Sequence, residues 1–353
     1  MKSLYTQYGE LEESYYNINI NSVKLFEPHM ARKRCRKFIN QHMEKGNKQP
    51  VMFLPFKEEY KSKGKHEHTV SLYLLGLLLQ MGSNDADLLL KKRLQELMDI
   101  EEWYNFKYTW FLGCLLHDVA SCIEKNKKIF SSKYVYNIFY HKTKRENVDI
   151  TSFSEETVKN YLEYRNQHDH GIVGGYLVFD RLCKTFKRRT KDNQWRYNPC
   201  LTLYKNGSYI LYREEHLDHF AYISDAIVCH NIWMAYDEEK KNLYQEKGLD
   251  ELVINCDNDR LNINNYPLQF ILCLLDTIEP IKRFRSLDAK TVLENVFIDI
   301  WDNTIKIGCS PIIREQDEFH QWFANIQEMG KWMNVEVSKC KNDGEICYKE
   351  IKW

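Results

Sequence analysis

From His66 to about Phe284 apolar residues return at spacings of three and four, and Pro is almost absent. That period is the signature of buried amphipathic helices, and over so long a stretch it forces a mainly α architecture. Two departures interrupt it. Leu201 to Tyr212 alternates around Asn206-Gly207, a strong hairpin signal, and reads as a β-hairpin inserted at about 200–213. After about residue 290 the period changes to two: Val296 to Trp301 and Thr304 to Ile307 read as strands joined at Asp302-Asn303. A helix follows, with Phe319, Trp322, Phe323, Ile326 and Met329 on one stripe and Gly330 as its stop. Met333, Val335 and Val337 then alternate, and Asp343-Gly344 turns into Ile346 to Ile351. The expected organisation is an N-terminal helical extension (1–60), a helical domain (61–288) and a small C-terminal α+β subdomain (289–353) whose antiparallel sheet is backed by one helix.

At 353 residues the chain is long enough for one or two buried cores. Lys plus Arg and Asp plus Glu each total 50, so a nucleic-acid binder working through overall charge is disfavoured. The run Arg32 to Lys37 remains a local basic patch, read first as a solvated helix face. The 11 Cys are scattered without a C-x-x-C pair, several of them inside apolar runs, and read as reduced core thiols of a cytoplasmic protein. Met1 to Ser14 has no apolar signal-peptide core, and Leu72 to Leu79 is too short to span a bilayer. No membrane partner is expected. Homo-oligomerisation is an open expectation, with the C-terminal sheet as its candidate surface.

The helical stretch carries ionisable groups in unexpected places. His68 opens HTVSLYLLGLLL, with Leu72, Leu75 and Leu79 on its face. His117-Asp118 closes FLGCLLHDVA. His170 sits in HGIVGGYLVFDRL, where Gly174 and Gly175 permit close helix packing. His230 ends FAYISDAIVCH, and Asp276 is a charge within ILCLLDTIEPIKRF. Any one of these is explained by a satisfied core histidine, or for Asp276 by a buried pair with Lys282 or Arg283. Five segments doing so together are explained by a metal site, because imidazole and carboxylate bind Mn, Fe, Ni, Mg and Zn, and a lone buried carboxylate is costly.

This order resembles the HD superfamily of metal-dependent phosphohydrolases: a His, an adjacent His-Asp pair, one or two further His, and a distant Asp. The likeness covers about residues 66–285. It implies a helical HD-type domain in which Asp118 bridges two divalent ions. His68, His117 and Asp276 would complete one ion; His170 and His230 would complete the other. Asp118 and His117 would be the catalytic pair around a metal-activated water, and the substrate a nucleotide or phosphodiester. His66 competes with His68, and His168 with His170; Thr69-Val70 and the Gly174 spacing favour the second of each pair. His219 lies three helical turns from His230, about 16 Å, and is left as a core or surface residue.

The residues after the pair, Val119-Ala120-Ser121, depart from the Gly-Lys of HD-GYP phosphodiesterases and inositol-oxygenase-like relatives, and no Gly-Tyr-Pro signature appears. Lys282 and Arg283 are candidates for substrate phosphate, with an ion pair to Glu279 as the equal alternative. Other readings on the same ligands are a nuclease on single-stranded nucleic acid, a di-iron oxygenase and a non-catalytic nucleotide sensor. The inserted hairpin, lying between two ligand segments, is expected to serve as a lid or a partner contact. No P-loop, dinucleotide motif, G-x-S-x-G or H-E-x-x-H competes.

Overall fold

The structure, a computed structural model, describes residues 1–11, 65–98, 106–118, 215–230 and 260–353. It also describes 187–189, 195–197, 203–205 and 208–210, with single or paired helical positions at 160, 170–171, 174–175, 242 and 246. The Arg32 to Lys37 run lies outside these residues.

The described residues are helix-rich, and none of their helices is long and apolar enough to cross a membrane. Helices α1 (Leu4–Glu10), α2 (Lys65–Gly82), α3 (Asn84–Met98), α4 (Phe106–Leu116), α5 (Glu215–Cys229) and α6 (Pro267–Ile278) precede the sheet. Ser83 alone separates α2 from α3. Its amide still bonds Leu79 O at 2.8 Å, and its hydroxyl accepts from the Ala86 amide at 3.3 Å. One serine thus ends one helix and caps the next. Helix α6 is buried at every position except Asp276, which is intermediate. This is the central element of the core, against which α2, α3, α4 and α5 pack.

Close helix approach depends on glycine. A Cβ at Gly76 of α2 would lie 1.8 Å from the Trp110 indole nitrogen of α4. That nitrogen donates to Tyr73 O at 3.1 Å, so the indole lies flat along α2. A Cβ at Gly175 would meet Val228 Cγ2 at 2.4 Å and Ser224 O at 2.6 Å, placing the helical residues around His170 directly on α5. At Gly175 this is the close packing expected from the glycine pair.

The C-terminal region contains α7 (Ala289–Asn295), the one-turn α8 (Pro311–Arg314) and α9 (Glu318–Trp332). Its sheet has six antiparallel strands. They are β1 (Lys2–Ser3), β6 (Val296–Trp301), β7 (Thr304–Cys309), β8 (Glu336–Val337), β9 (Lys341–Asp343) and β10 (Ile346–Lys352). The order is β1-β6-β7-β10-β8, with β9 also on β10. Ile298 pairs with Ile307, and Ile305 with Ile351, forming a continuous buried face. Asp302 adopts φ 47° in the two-residue turn between β6 and β7, the left-handed geometry a tight hairpin requires. The stripe expected on α9 is buried along its length.

Four features differ from the sequence reading. Helix α9 runs two residues past Gly330 and ends at Trp332, because Met333 turns extended only there. Residues 1–11 do not stand apart: Lys2 and Ser3 pair with Ile298 and Phe297, and Leu4 and Tyr8 enter the common core. Cys340 and Cys347 form a disulfide across the β9–β10 hairpin rather than two reduced thiols; Cys114, Cys229, Cys273 and Cys309 are buried outside any disulfide. The expected hairpin forms, as β4 (Leu203–Lys205) on β5 (Ser208–Ile210), but a second one precedes it, β2 (Lys187–Arg189) on β3 (Trp195–Tyr197).

Candidate metal centre

His68, His117, Asp118, His230 and Asp276 each sit where a helix begins, ends or carries its lone charge. His68 is in the first turn of α2, fully buried on the face of Leu72, Leu75 and Leu79. His117 and Asp118 follow the last turn of α4, and His230 follows that of α5. The two histidines solve the helix C-terminus in the same way. His117 Nδ1 donates to Cys114 O at 2.7 Å, and His230 Nδ1 donates to Ile227 O. Each thereby bonds a carbonyl in the last turn of its own helix, and each is locked with Nε2 facing away from that helix. Asp276 lies near the C-terminal end of α6.

These residues converge. His68 Nε2 lies 3.2 Å from His117 Nε2 and 3.2 Å from Asp276 Oδ1. His117 Nε2 lies 3.5 Å from the same oxygen. Asp118 Oδ2 is 3.6 Å from each of those two imidazole nitrogens, and Asp118 Oδ1 is 3.0 Å from His170 Nε2. The His117–His230 and His170–His230 ring centroids are both 5.3 Å apart. Two groups of donor atoms result, each within 4.8 Å: His68, His117 and Asp118; and Asp118, His170 and His230. Asp118 belongs to both. These buried groups can hold a metal ion.

The proton inventory explains why. Carbonyls and carboxylates only accept, so Nδ1 of His68, His117 and His230 carries the hydrogen and Nε2 of each neutral ring is a bare lone pair. Three such atoms then face two carboxylates, with acceptors 3.2 Å apart and, among the described residues, no donor between them. Asp276 Oδ1 is buried without a hydrogen bond. Only a cation relieves such a collection of acceptors. In the metal-free protein a proton partly fills the role. Burial pushes His68 down, but Glu279, together with Asp276, outweighs it and raises the imidazole above its ordinary value. His230 goes the other way. Burial, then the His117 and His170 rings beside it, lower it to about 3. It is therefore unprotonated and ready as a ligand at neutral pH.

The positive charges are engaged. Lys282 ion-pairs with Asp276 Oδ2 at the partly exposed edge of the site. Arg283 donates to the Asp276 carbonyl at 3.4 Å. Burial alone would raise the Asp276 carboxyl; the Lys282 ammonium foremost holds it well below the usual range. The ion pair to Glu279 considered for Lys282 and Arg283 is replaced by this pairing with Asp276. Glu279 instead accepts the Lys282 backbone amide at 3.2 Å.

Glu279 is the residue the sequence reading missed. It is fully buried and accepts from His68 Nδ1 at 2.7 Å and from the Ile281 amide at 3.0 Å. The available signal was a second acid in the same apolar segment as Asp276, placed immediately before Pro280, where α6 must stop. His219 lies outside the cluster. It is buried, with Nε2 3.0 Å from Thr109 Oγ1, the core rather than the surface position of the two the sequence left open.

No family model matches the chain, and no curated protein or solved structure is detectably similar to it.

Proposed function

We propose that the chain is a metal-dependent phosphohydrolase, acting on a nucleotide or another phosphate ester at a two-ion centre of the HD type. The observation that carries this reading is one carboxylate, Asp118, shared by two donor groups, three of whose four imidazoles (His68, His117 and His230) are pre-oriented by their Nδ1 bonds. His68, His117, Asp118 and Asp276 would hold one ion; Asp118, His170 and His230 would hold the second. When bound, such a pair supplies Lewis acidity toward a phosphoryl oxygen and a water acidified to hydroxide near neutral pH.

The chain's own residues do the rest. The Nδ1 bonds fix three ring planes before any ion arrives, so little order is imposed on binding. Lys282 turns Asp276 Oδ1 inward by holding Oδ2. Side-chain exposure is 22% at His170 and 19% at Lys282, against 0% at His68 and His117. Substrate therefore approaches from the His170 and Lys282 side, where the ammonium meets the phosphate.

The test is metal analysis with a hydrolysis screen. Nucleoside mono- and triphosphates, cyclic mono- and dinucleotides, and single-stranded DNA and RNA are each incubated with Mn, Fe(II), Mg, Ni or chelator. Two ions per chain and chelator-sensitive cleavage are expected, with Asp118→Ala lowering activity by more than about a hundredfold, beyond what loss of an outer-shell partner causes. Cleavage confined to the single strands would identify a nuclease. Absence of bound metal, or cleavage indifferent to chelator, would reject the proposal.

A further inference from the structure

The strongest feature outside the donor groups begins at the other end of the sequence. Tyr8 of α1 is buried, and its hydroxyl lies 3.0 Å from both the carbonyl oxygen and Oγ of Ser71. Ser71 stands in α2, and its side chain hydrogen-bonds Glu279. Glu279 Oε2 accepts from His68 Nδ1 at 2.7 Å. Every group in this line is at least nine-tenths buried.

The line has one consistent direction of donation. The Glu279 carboxylate only accepts, so the single Ser71 hydroxyl hydrogen is directed to it. Ser71 oxygens are then left as acceptors, and the Tyr8 hydroxyl supplies the donor. His68 Nδ1–H meets Glu279 from the other side, leaving the Nε2 lone pair toward the donor groups. The backbone amides of Ile281 and Lys282 complete the carboxylate's hydrogen bonding. Such a fully satisfied buried network specifies one arrangement.

We infer that Tyr8, Ser71 and Glu279 form a positioning relay that fixes the tautomer and ring plane of His68, making the N-terminal helix part of the metal centre. The inference rests on the metal-centre reading above. It assigns work to α1, which itself touches no donor atom of the cluster. Because β1 pairs with β6, it also ties the C-terminal sheet to the site.

The experiment titrates the full-length, metal-stripped protein with Mn2+ alone. The set is wild type, Glu279→Gln, Tyr8→Phe, and Thr109→Val, which deletes a buried hydrogen bond of similar kind outside the relay. Glu279→Gln should weaken Mn2+ binding about 10- to 100-fold, the range for partners of metal-bound imidazoles. Tyr8→Phe should weaken it about fivefold, the equivalent of one buried hydrogen bond. Thr109→Val should leave affinity unchanged while lowering stability. Nitrogen-15 spectra of the histidines should show His68 protonated at Nδ1 in the wild type and a mixture of tautomers in Glu279→Gln.

Wild-type affinity in both Glu279→Gln and Tyr8→Phe would overturn the relay while leaving the metal centre standing. Equal weakening in Thr109→Val would overturn it too, by reducing it to general stability. A wild-type protein that binds no Mn2+ would overturn the metal centre and the relay together. Should Glu279→Gln fail to fold, Tyr8→Phe, which keeps the packed ring, decides the question.

Discussion

At the scale of single residues, the site consists of acceptors waiting for a positive charge, and its histidines respond to pH in opposite senses. His230 titrates in the folded protein at about 3, against about 6.5 in the unfolded chain. Its folded value is depressed, so the stability it contributes is complete above about 6.5 and lost as pH falls toward 3. His68 is raised. Its contribution is complete below about 6.5 and lost as pH rises through its folded value. Between pH 6.5 and 5, above the carboxylate range, the metal-free protein should lose stability through His230 with a slope approaching about 1.4 kcal/mol per pH unit. Urea denaturation of chelator-treated protein measures this, and His230→Gln should flatten the profile. An unchanged slope in that variant would refute the assignment. The six candidate ligands were legible in the sequence because each is an ionisable group inside an apolar run. Glu279 was not, since an acid beside a proline and two cations has an ordinary surface explanation that only the fold removes.

Helices α2 and α4 show how element packing sets ligand placement. His68 and His117 come from these two elements, and Gly76 lets them approach with the Trp110 indole between. Gly76→Ala should destabilise the protein by about 1–3 kcal/mol or more, because the new Cβ has no space and the indole cannot leave its bond to Tyr73 O. Gly113 of α4 provides the contrast. A Cβ there meets nothing within 4 Å. Gly113→Ala should be neutral or stabilise by up to about 1 kcal/mol through helix propensity. Chemical denaturation of the two variants checks the pair; equal effects would mean that helix propensity, not interhelical space, governs both. The helical period announced these elements, as it did the α9 stripe. It did not reveal where α9 ends, because the residues after Gly330 are compatible with another half-turn and only Met333, turning extended to meet Leu261, stops it. The β2–β3 hairpin was likewise unread: three-residue strands give alternation too little length to register.

For the whole molecule, the fold is joined across its ends. Residues 2–8 supply an edge strand, two buried side chains and a hydroxyl to structures built from residues 71 and 296–301. No sequence period marks a two-residue strand, so the opening segment read as an extension. Removing residues 1–11 should cost about 3–6 kcal/mol from Leu4 and Tyr8 alone, at about 1.5–3 kcal/mol for each fully buried side chain. It should also bare the β6 edge to self-association. Denaturation and size-exclusion chromatography of the truncated chain would show both effects. Wild-type stability in the truncated protein would mean that the segment rests on the surface without supporting it. At the opposite end of α2, Gly82 lies where a Cβ would be 2.6 Å from Ile300 O and 2.8 Å from Ile300 Cγ2, so helix bundle and sheet meet there with no room for a side chain on the helix.

The pairing of residue 2 with residue 298 also sets a timetable for synthesis. Gln7 donates to Ile298 O across 291 positions of chain. Translation at about 5–20 residues per second puts on the order of a quarter of a minute to a minute between the emergence of the two. Throughout that interval Leu4 has no sheet to join, and for most of it Glu279 has not yet been made to orient His68. The nascent helices therefore pass through a stage in which the histidines are present but unaligned, and the centre is completed only when the last quarter of the polypeptide closes over the first few residues.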